Sequence, residues 1–214
     1  MLKKHVVFNL RKRTINLPKK KKKADYKIMI YFSLMVSGAV LGANIFKSSS
    51  PETDNLLSSI FISLFTPDNT QGLLMNFFKI LLPFIVLISL SYVIGLCGAG
   101  IPILALVPLV SGIFAGAYVG LCYGAYGLRE AVCRMLVFLP SYAIAAASLI
   151  KCCCRSTVIS GEIFSFLLTG KGEGKALLKD YTVEYAVLTV PVIIGSAVSL
   201  CTFSILEELF HVFS

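Results

Sequence analysis

The stretch IPILALVPLVSGIFAGAYVGLCY, residues 101–123, contains no charged residue and decides the fold class. A helix crosses the roughly 30 Å hydrocarbon core of a bilayer with about 20 predominantly apolar residues, because each residue rises about 1.5 Å. This stretch has that length. Its apolar residues do not alternate with polar ones, as they would in a strand of a membrane barrel. It therefore predicts a transmembrane helix.

The composition of the whole chain is that of a membrane protein. Its 214 residues are 57% hydrophobic and 14% charged, whereas a soluble domain has about 25% charged residues. Four further apolar blocks are long enough to span a bilayer. The sequence thus predicts an all-α, polytopic membrane helix bundle with short interfacial helices and five spans, at about residues 28–46, 77–96, 101–123, 131–150 and 185–206.

Lysine and arginine are unequally divided between the connections. Eleven lie in residues 1–27 and five in residues 151–179, which leaves four of the twenty for the other side. Cytoplasmic loops carry the excess of basic residues. We therefore expect a multi-pass protein of the cell membrane. Residues 1–27 form a basic cytoplasmic segment, residues 28–206 form the membrane domain, and residues 207–214 form a short extracytoplasmic tail.

A run of five lysines precedes the first span: Lys19, Lys20, Lys21, Lys22 and Lys23. Attraction of such a run to anionic lipid headgroups is worth about 1 kcal/mol per residue near the surface. Nucleic acid or a specific phosphoinositide would be a sharper partner, but a topology determinant at the membrane surface is the favoured interpretation. The formal net charge of +9 therefore predicts membrane lipids, and no nucleic acid, as partners.

Glycines recur at helical spacing in two spans. They are Gly38 and Gly42 in the first span and Gly112, Gly116, Gly120 and Gly124 in the third. Inside lipid, stripes of small residues let helices approach closely and pack by dispersion. These glycines therefore predict helix packing. Packing within one bundle is favoured, and a homo-oligomer contact is the alternative.

The connection between the first two spans contains the segment NLLSSIFISLFTPDNT, residues 55–70. Its large apolar side chains fall at helical spacing and its serines largely on the other face, so it predicts a helix lying in the outer interface. This face could contact an extracytoplasmic partner or cover the protein's own bundle, and the sequence leaves both readings open. The apolar residues are Leu56, Leu57, Ile60, Phe61 and Leu64.

The fourth span begins with charged residues and contains a proline, in YGLREAVCRMLVFLP, residues 126–140. Glu130 and Arg134 are four residues apart and can pair along one helix face. Pro140 predicts a kink near mid-membrane, which is tolerated where neighbouring helices satisfy the freed backbone groups. Arg129 and Glu130, at the outer mouth of this span, are further candidates for partner contact.

Residues that could carry chemistry are few. The sequence has no HExxH, GxSxG or phosphate-binding loop,. Cys152, Cys153 and Cys154 are adjacent, whereas zinc motifs separate their ligands by at least two residues. Acidic or histidine residues that would mark an ion pathway are missing from the depth of the spans. We predict no enzyme activity, no cofactor and no catalytic or metal site.

Several features together resemble the bacterial stage II sporulation protein M family over residues 26–206. They are the basic start, the glycines of the first span, the long outer connection, the GxxxP turn at residues 98–102, the glycine-rich third span, and YGLREAVCRMLVFLPSYAIAAASLI at residues 126–150. The resemblance implies a mother-cell membrane scaffold for forespore engulfment and septal thinning. Its partners would be cell-wall hydrolases resembling stage II sporulation proteins D and P, which carry the peptidoglycan-degrading chemistry.

A membrane permease subunit of an ABC-type exporter is the alternative function. The energy of such a protein comes from a separate ATPase, so its spans can be uncharged. TVISGEIFSFLL, residues 157–168, would then be the cytoplasmic coupling helix, although it is equally typical of a helix lying in the interface.

Overall fold

A computed structural model describes residues 20–48, 59, 72–126, 128–169 and 174–210. In this part of the chain there are five α-helices and no β-strand. Their bounds are α1 Lys20–Ser48, α2 Leu73–Gly95, α3 Ile101–Ala125, α4 Leu128–Thr169 and α5 Gly174–Phe210. Each helix contains a segment long and apolar enough to cross a membrane. The predicted all-α membrane helix bundle is therefore confirmed.

The helices run alternately up and down, and α4 is central because it packs against each of the other four. The helix α1 packs chiefly on α3, and α5 packs on α4 and α2. One end of the bundle, here called the basic end, holds the start of α1, the turn between α2 and α3, and the end of α4. Hydrogen bonds from Thr157 to Tyr31 and from Ser160 to Cys97 bring these elements together.

The last two helices are longer than the predicted spans. The helix α4 has 42 residues and α5 has 37, so they are about 63 Å and 55 Å long, against about 30 Å of hydrocarbon. Residues 157–168, for which the sequence left a coupling helix and an interfacial helix open, are helical and continue α4 without a break. These residues contain one charged residue, Glu162, and no proline that would end the helix,.

Each of α2 to α5 contains an internal proline, at Pro83, Pro108, Pro140 and Pro191. At Pro140 the neighbouring helix supplies a hydrogen bond, because the backbone N–H of Ser141 donates to Ser199 Oγ of α5 at 3.2 Å. The backbone group that this bond satisfies is the amide that follows the proline. Both Ser141 and Ser199 are buried.

The interface between α1 and α3 is formed by main-chain contact. A Cβ atom added at Gly38 or Gly42 would overlap the backbone of α3 at Leu109 and Ile113, and one added at Gly116 would overlap the backbone of Ala39. Glycine is therefore the residue that this separation permits. Close contact of this kind replaces the hydrophobic driving force that lipid cannot supply.

Candidate functional site, a buried hydroxyl cluster beside the turn between α2 and α3

Five hydroxyl-bearing residues from three helices meet at the basic end of the bundle. We call Ser91 and Tyr92 of α2, Ser156 of α4, and Tyr181 and Tyr185 of α5 the hydroxyl cluster. Tyr181 and Tyr185 are four residues apart, so they share one face of α5. Ser91, Ser156, Tyr181 and Tyr185 are all buried. Buried hydroxyl groups need hydrogen-bond partners, and each finds them within the cluster or on nearby carbonyls.

Ser156 is the centre of this arrangement. Its Oγ lies 3.1 Å from the carbonyl oxygen of Ser91, 2.9 Å from that of Cys152, and 3.0 Å from the hydroxyl of Tyr181. It also hydrogen-bonds with the hydroxyl of Tyr185. One serine thereby joins α4 to both α2 and α5.

Tyr185 closes the network on its other side. Its hydroxyl lies 3.1 Å from Ser91 Oγ and 3.1 Å from the carbonyl oxygen of Cys152. Ser91 Oγ in turn donates to the carbonyl of Ile88 at 2.8 Å. The hydroxyl groups of Ser91, Ser156 and Tyr185 therefore each have a carbonyl acceptor.

The cluster also caps the carboxyl end of α2. The last carbonyls of a helix lack intrahelical partners, and α2 ends at Gly95. The hydroxyl of Tyr181 donates to the carbonyl of Tyr92 at 3.0 Å, and Ser160 Oγ donates to the carbonyl of Cys97 at 2.7 Å. The backbone N–H groups of Leu96 and Cys97 bond to the carbonyls of Val93 and Ile94, and side chains of α4 and α5 add bonds to two further carbonyls at the end of α2 and in the turn that follows.

The aromatic rings of the cluster add packing to these bonds. The rings of Tyr92 and Tyr181 stack with centroids 4.9 Å apart and planes at 10°. Tyr185 meets both rings edge-on, at 5.1 Å and 4.8 Å. Stacked and edge-to-face pairs of this geometry contribute about 0.5–1.5 kcal/mol beyond burial. At the rim, the hydroxyl of Tyr92 lies 3.0 Å from Thr182 Oγ1.

An ion pair borders the cluster on its exposed side. Arg155 of α4 and Glu184 of α5 form it, and each is the sequence neighbour of a cluster residue, Ser156 and Tyr185. Both side chains are partly exposed. The pair therefore lies at the surface of the junction between α4 and α5.

The charged residues at the start of α4 form a second cluster, at the opposite end of the bundle. Arg134 donates to Glu130 Oε1 from Nη2 at 2.6 Å and from Nε at 3.1 Å, which confirms the predicted pairing. The guanidinium of Arg134 also lies 4.0 Å above the ring of Tyr126, within the range of a cation–π contact. We call Tyr126, Arg129, Glu130 and Arg134 the collar.

Tyr126 and Arg129, two members of the collar, differ in their exposure. Partial burial raises the pKa of the Tyr126 hydroxyl above its ordinary value, and the positive charge of Arg134 opposes that rise. Arg129 is exposed, and its neighbour Leu128 is 77% exposed. The pairing of Arg134 thus fixes the start of α4 while the adjacent side chains point outward.

The structure places the predicted packing glycines in two groups. Gly38 and Gly42 of α1 and Gly112 and Gly116 of α3 lie in the main-chain contact between these helices. Gly120 is half-buried and Gly124 is exposed, both nearer the end of α3. The first two glycines of the four-residue repeat in α3, Gly112 and Gly116, therefore form the close contact with α1.

Other predicted sites fall partly outside the described residues. Lys20, Lys21, Lys22 and Lys23 are in the first turns of α1, so the helix begins earlier than the predicted span. Lys19 lies outside the described residues, as do the predicted contact residues Leu56, Leu57, Ile60, Phe61 and Leu64. Of that segment the structure describes Ser59, which is helical.

The three adjacent cysteines belong to the middle of α4. Cys152 and Cys153 are fully buried and Cys154 is half-buried. Among the residues with described positions, no three His, Cys, Asp or Glu side chains are grouped so that they could hold a metal ion. The thiols therefore serve as small core residues here.

A pocket of about 230 Å³ lies between α2, α3 and α4, away from the hydroxyl cluster. Its walls are almost wholly apolar and include the aromatic rings of Phe84, Phe114, Phe138 and Tyr142. The hydroxyl of Tyr142 donates to the carbonyl of Ser111, also on the wall, at 3.4 Å. A pocket with such walls suits a hydrocarbon rather than a polar ligand.

The spacing of several residues in the sequence indicates part of the hydroxyl cluster, although their hydropathy does not. Two tyrosines four residues apart in KDYTVEYAV, residues 179–187, and the serines of RSTVIS, residues 155–160, are placed to share helix faces. The sequence predicts the fifth span to begin at Tyr185 and places the preceding residues of these two segments between the fourth and fifth spans. The partner residues on α2 are distant in the sequence, so spacing alone could not join them.

Comparison with known proteins found no matching family model, no matching curated protein and no matching solved structure. The assignment of fold and sites therefore rests on the residues and contacts of this chain.

Proposed function

We propose that this protein is an integral membrane scaffold that anchors a peptidoglycan-remodelling complex during forespore engulfment and septal thinning. The proposal follows from the resemblance to the stage II sporulation protein M family. Under this proposal, the basic end faces the cytoplasm of the mother cell and the collar faces the space outside. The chain itself is not an enzyme. The partners are cell-wall hydrolases resembling stage II sporulation proteins D and P.

The collar is the observation that best supports a scaffold. An extracytoplasmic partner needs a surface whose position is fixed relative to the membrane. The ion pair between Glu130 and Arg134 and the contact of Arg134 with Tyr126 hold the start of α4 in place. Leu128 and Arg129 stand exposed beside them, and a large aliphatic group next to an arginine suits a protein contact.

The packing of the bundle supports the same proposal. The main-chain contact joins α1 to α3, and the hydroxyl cluster joins α2, α4 and α5, so each of the five helices takes part in one of the two contacts. A scaffold benefits from such joints because they keep the partner-binding surface from shifting.

The test is affinity purification of the tagged protein in mild detergent from sporulating cells, with mass spectrometry of the proteins recovered. We expect cell-wall hydrolases with the wild type. We expect about ten-fold less of them with Arg129→Glu, since tenfold corresponds to losing about 1.4 kcal/mol of contact energy. Arg129 is the better choice for substitution because Glu130 holds Arg134 in the collar. Lys151→Glu, an exposed basic residue toward the basic end of the same helix, is the matched control.

Each other result has a defined meaning. Hydrolases recovered equally with the wild type and with Arg129→Glu would leave the scaffold but remove the collar as its contact surface. Recovery of an ATPase without hydrolases would favour the exporter permease.

A further inference from the structure

The pocket between α2, α3 and α4 opens toward the lipid. Three of its lining side chains are also part of the outer surface: Leu82 and Val86 of α2 are 55% and 54% exposed, and Phe114 of α3 is 42% exposed. The exposed apolar faces of spanning helices are surrounded by acyl chains. The pocket is therefore continuous with a hydrocarbon environment and not with water.

Four of the five α2 residues that line the pocket form one helical stripe, and a lysine precedes them on the same face. Leu82, Pro83, Val86 and Leu87 line the pocket, and they follow Lys79 by three, four, seven and eight residues. This is the spacing of one helix face. Lys79 is thus the next member of the stripe toward the opposite end of the bundle, and helical side chains lean toward the amino terminus of their helix.

This arrangement matches the two parts of a phospholipid. Lys79 is half-buried and lies in the second turn of α2, near the end of the helix and hence near the headgroup region. A lysine there attracts an anionic headgroup and can extend its amine toward the interface. The pocket lies directly deeper along the same face, where an acyl chain attached to that headgroup would run.

We propose that this groove is a binding site for a glycerophospholipid with an anionic headgroup. Lys79 contacts the phosphate and one acyl chain occupies the pocket, against Phe84, Phe138 and Tyr142. The pocket volume of about 230 Å³ exceeds the roughly 150 Å³ of an apolar cavity that binds benzene in another protein. The site is independent of the proposed scaffold function, since it depends on the membrane and not on any protein partner.

The absence of tryptophan from the chain makes a direct test practical. Phe114→Trp places a single fluorophore in the pocket wall, and Val93→Trp places one on the lipid-facing surface of α2, outside the pocket and 58% exposed as valine. Each variant is reconstituted in vesicles of phosphatidylcholine and phosphatidylglycerol in which one lipid or the other carries brominated chains that quench fluorescence. The measured quantity is the ratio of quenching by the two brominated lipids.

We expect phosphatidylglycerol to be preferred about five-fold at Phe114→Trp, the ratio that one lysine near an anionic headgroup supplies. No such preference is expected at Val93→Trp. Lys79→Gln in the Phe114→Trp chain should abolish the preference, and Lys151→Gln should leave it. Equal ratios at the two probes, or a preference that survives Lys79→Gln, would overturn the site.

A second measurement covers the case in which Phe114→Trp itself disturbs the pocket. The wild type, Val86→Trp and Val93→Trp are purified in mild detergent, and the phosphatidylglycerol retained per protein is measured by mass spectrometry. Val86 and Val93 are equally exposed valines of one helix, but only Val86 lines the pocket. Val86→Trp should retain several-fold less lipid than Val93→Trp. Equal retention by these two variants would contradict the proposal.

Discussion

At the scale of the residue, glycine has a different meaning in different places of this bundle. Gly116 lies against the main chain of Ala39, where no side chain fits, whereas Gly161 of α4 has open space around its Cα. Both are helical, so both carry the entropic cost of glycine in a helix, about 0.5–1 kcal/mol relative to alanine. The two glycines therefore differ in one respect: Gly116 contacts a neighbouring helix, and Gly161 has open space around it.

Gly116→Ala should destabilise the protein and Gly161→Ala should not. A methyl group at position 116 forces α1 and α3 apart, and overpacking of this kind costs about 1–3 kcal/mol, a loss of several degrees in Tm for a chain of this size. Gly161→Ala should leave Tm unchanged or raise it slightly. The measurement is thermal unfolding in mild detergent by circular dichroism. Equal Tm values for the two variants would contradict the main-chain contact.

At the scale of the element, the turn between α2 and α3 is held by helices that come much later in the sequence. Ser160 donates a hydrogen bond to the carbonyl of Cys97 in the turn, and Tyr181 and Ser156 donate to the carbonyls of Tyr92 and Ser91 in the last turns of α2. The helices α4 and α5 extend beyond their predicted spans through this region. Their additional length therefore has a physical role, since it brings these hydroxyl groups to the end of α2.

Removing hydroxyl groups from the cluster should loosen this junction. Ser156→Ala and Tyr185→Phe should each cost about 0.6–2 kcal/mol, the range of hydrogen bonds within membrane proteins and of buried groups that lose a partner. Because both residues belong to one network, the double variant should lose less than the sum. Tyr123→Phe, at an exposed tyrosine of α3, is the control. Strictly additive losses in Tm would show that the two hydroxyl groups act separately.

The elements also show what the sequence could and could not predict. Uninterrupted apolar blocks predicted the number and type of the helices, because a spanning segment has a length set by the bilayer. The i,i+4 pairing of Glu130 and Arg134 was predictable because both residues are on one turn. The extensions of α4 and α5 and the hydroxyl cluster were not, because their polar residues are stabilised by tertiary contacts between distant parts of the chain.

At the scale of the whole molecule, the proposed orientation in the membrane can be tested at the two ends of the bundle. Cys97, in the turn between α2 and α3, is exposed at the basic end, and Arg129 is exposed at the opposite end. The excess of lysine and arginine lies with Cys97. The proposed orientation, which rests on the rule that basic loops stay inside, would place Cys97 on the cytoplasmic face and Arg129 on the outer face.

Labelling with a membrane-impermeant maleimide should distinguish the two faces. In a Cys201→Ser chain, Cys97 should react only after the cells are permeabilised. In a Cys97→Ser, Cys201→Ser chain that carries Arg129→Cys, the introduced thiol should react in intact cells. Cys201→Ser is included in both because Cys201 is also exposed. The reverse pattern would invert the orientation and place the collar in the cytoplasm.

The main-chain contact between α1 and α3 also bears on the order in which the protein is made. The helix α1 leaves the ribosome first and α2 second, yet the chief partner of α1 is α3. While only α1 and α2 are synthesised, the main chain of α3, which the glycine face of α1 contacts in the bundle, is not yet present. The contact between α1 and α3 therefore forms only after the turn at residues 96–100 has emerged and α3 has entered the bilayer. Helices that contact each other in the bundle are thus not always those made one after the other.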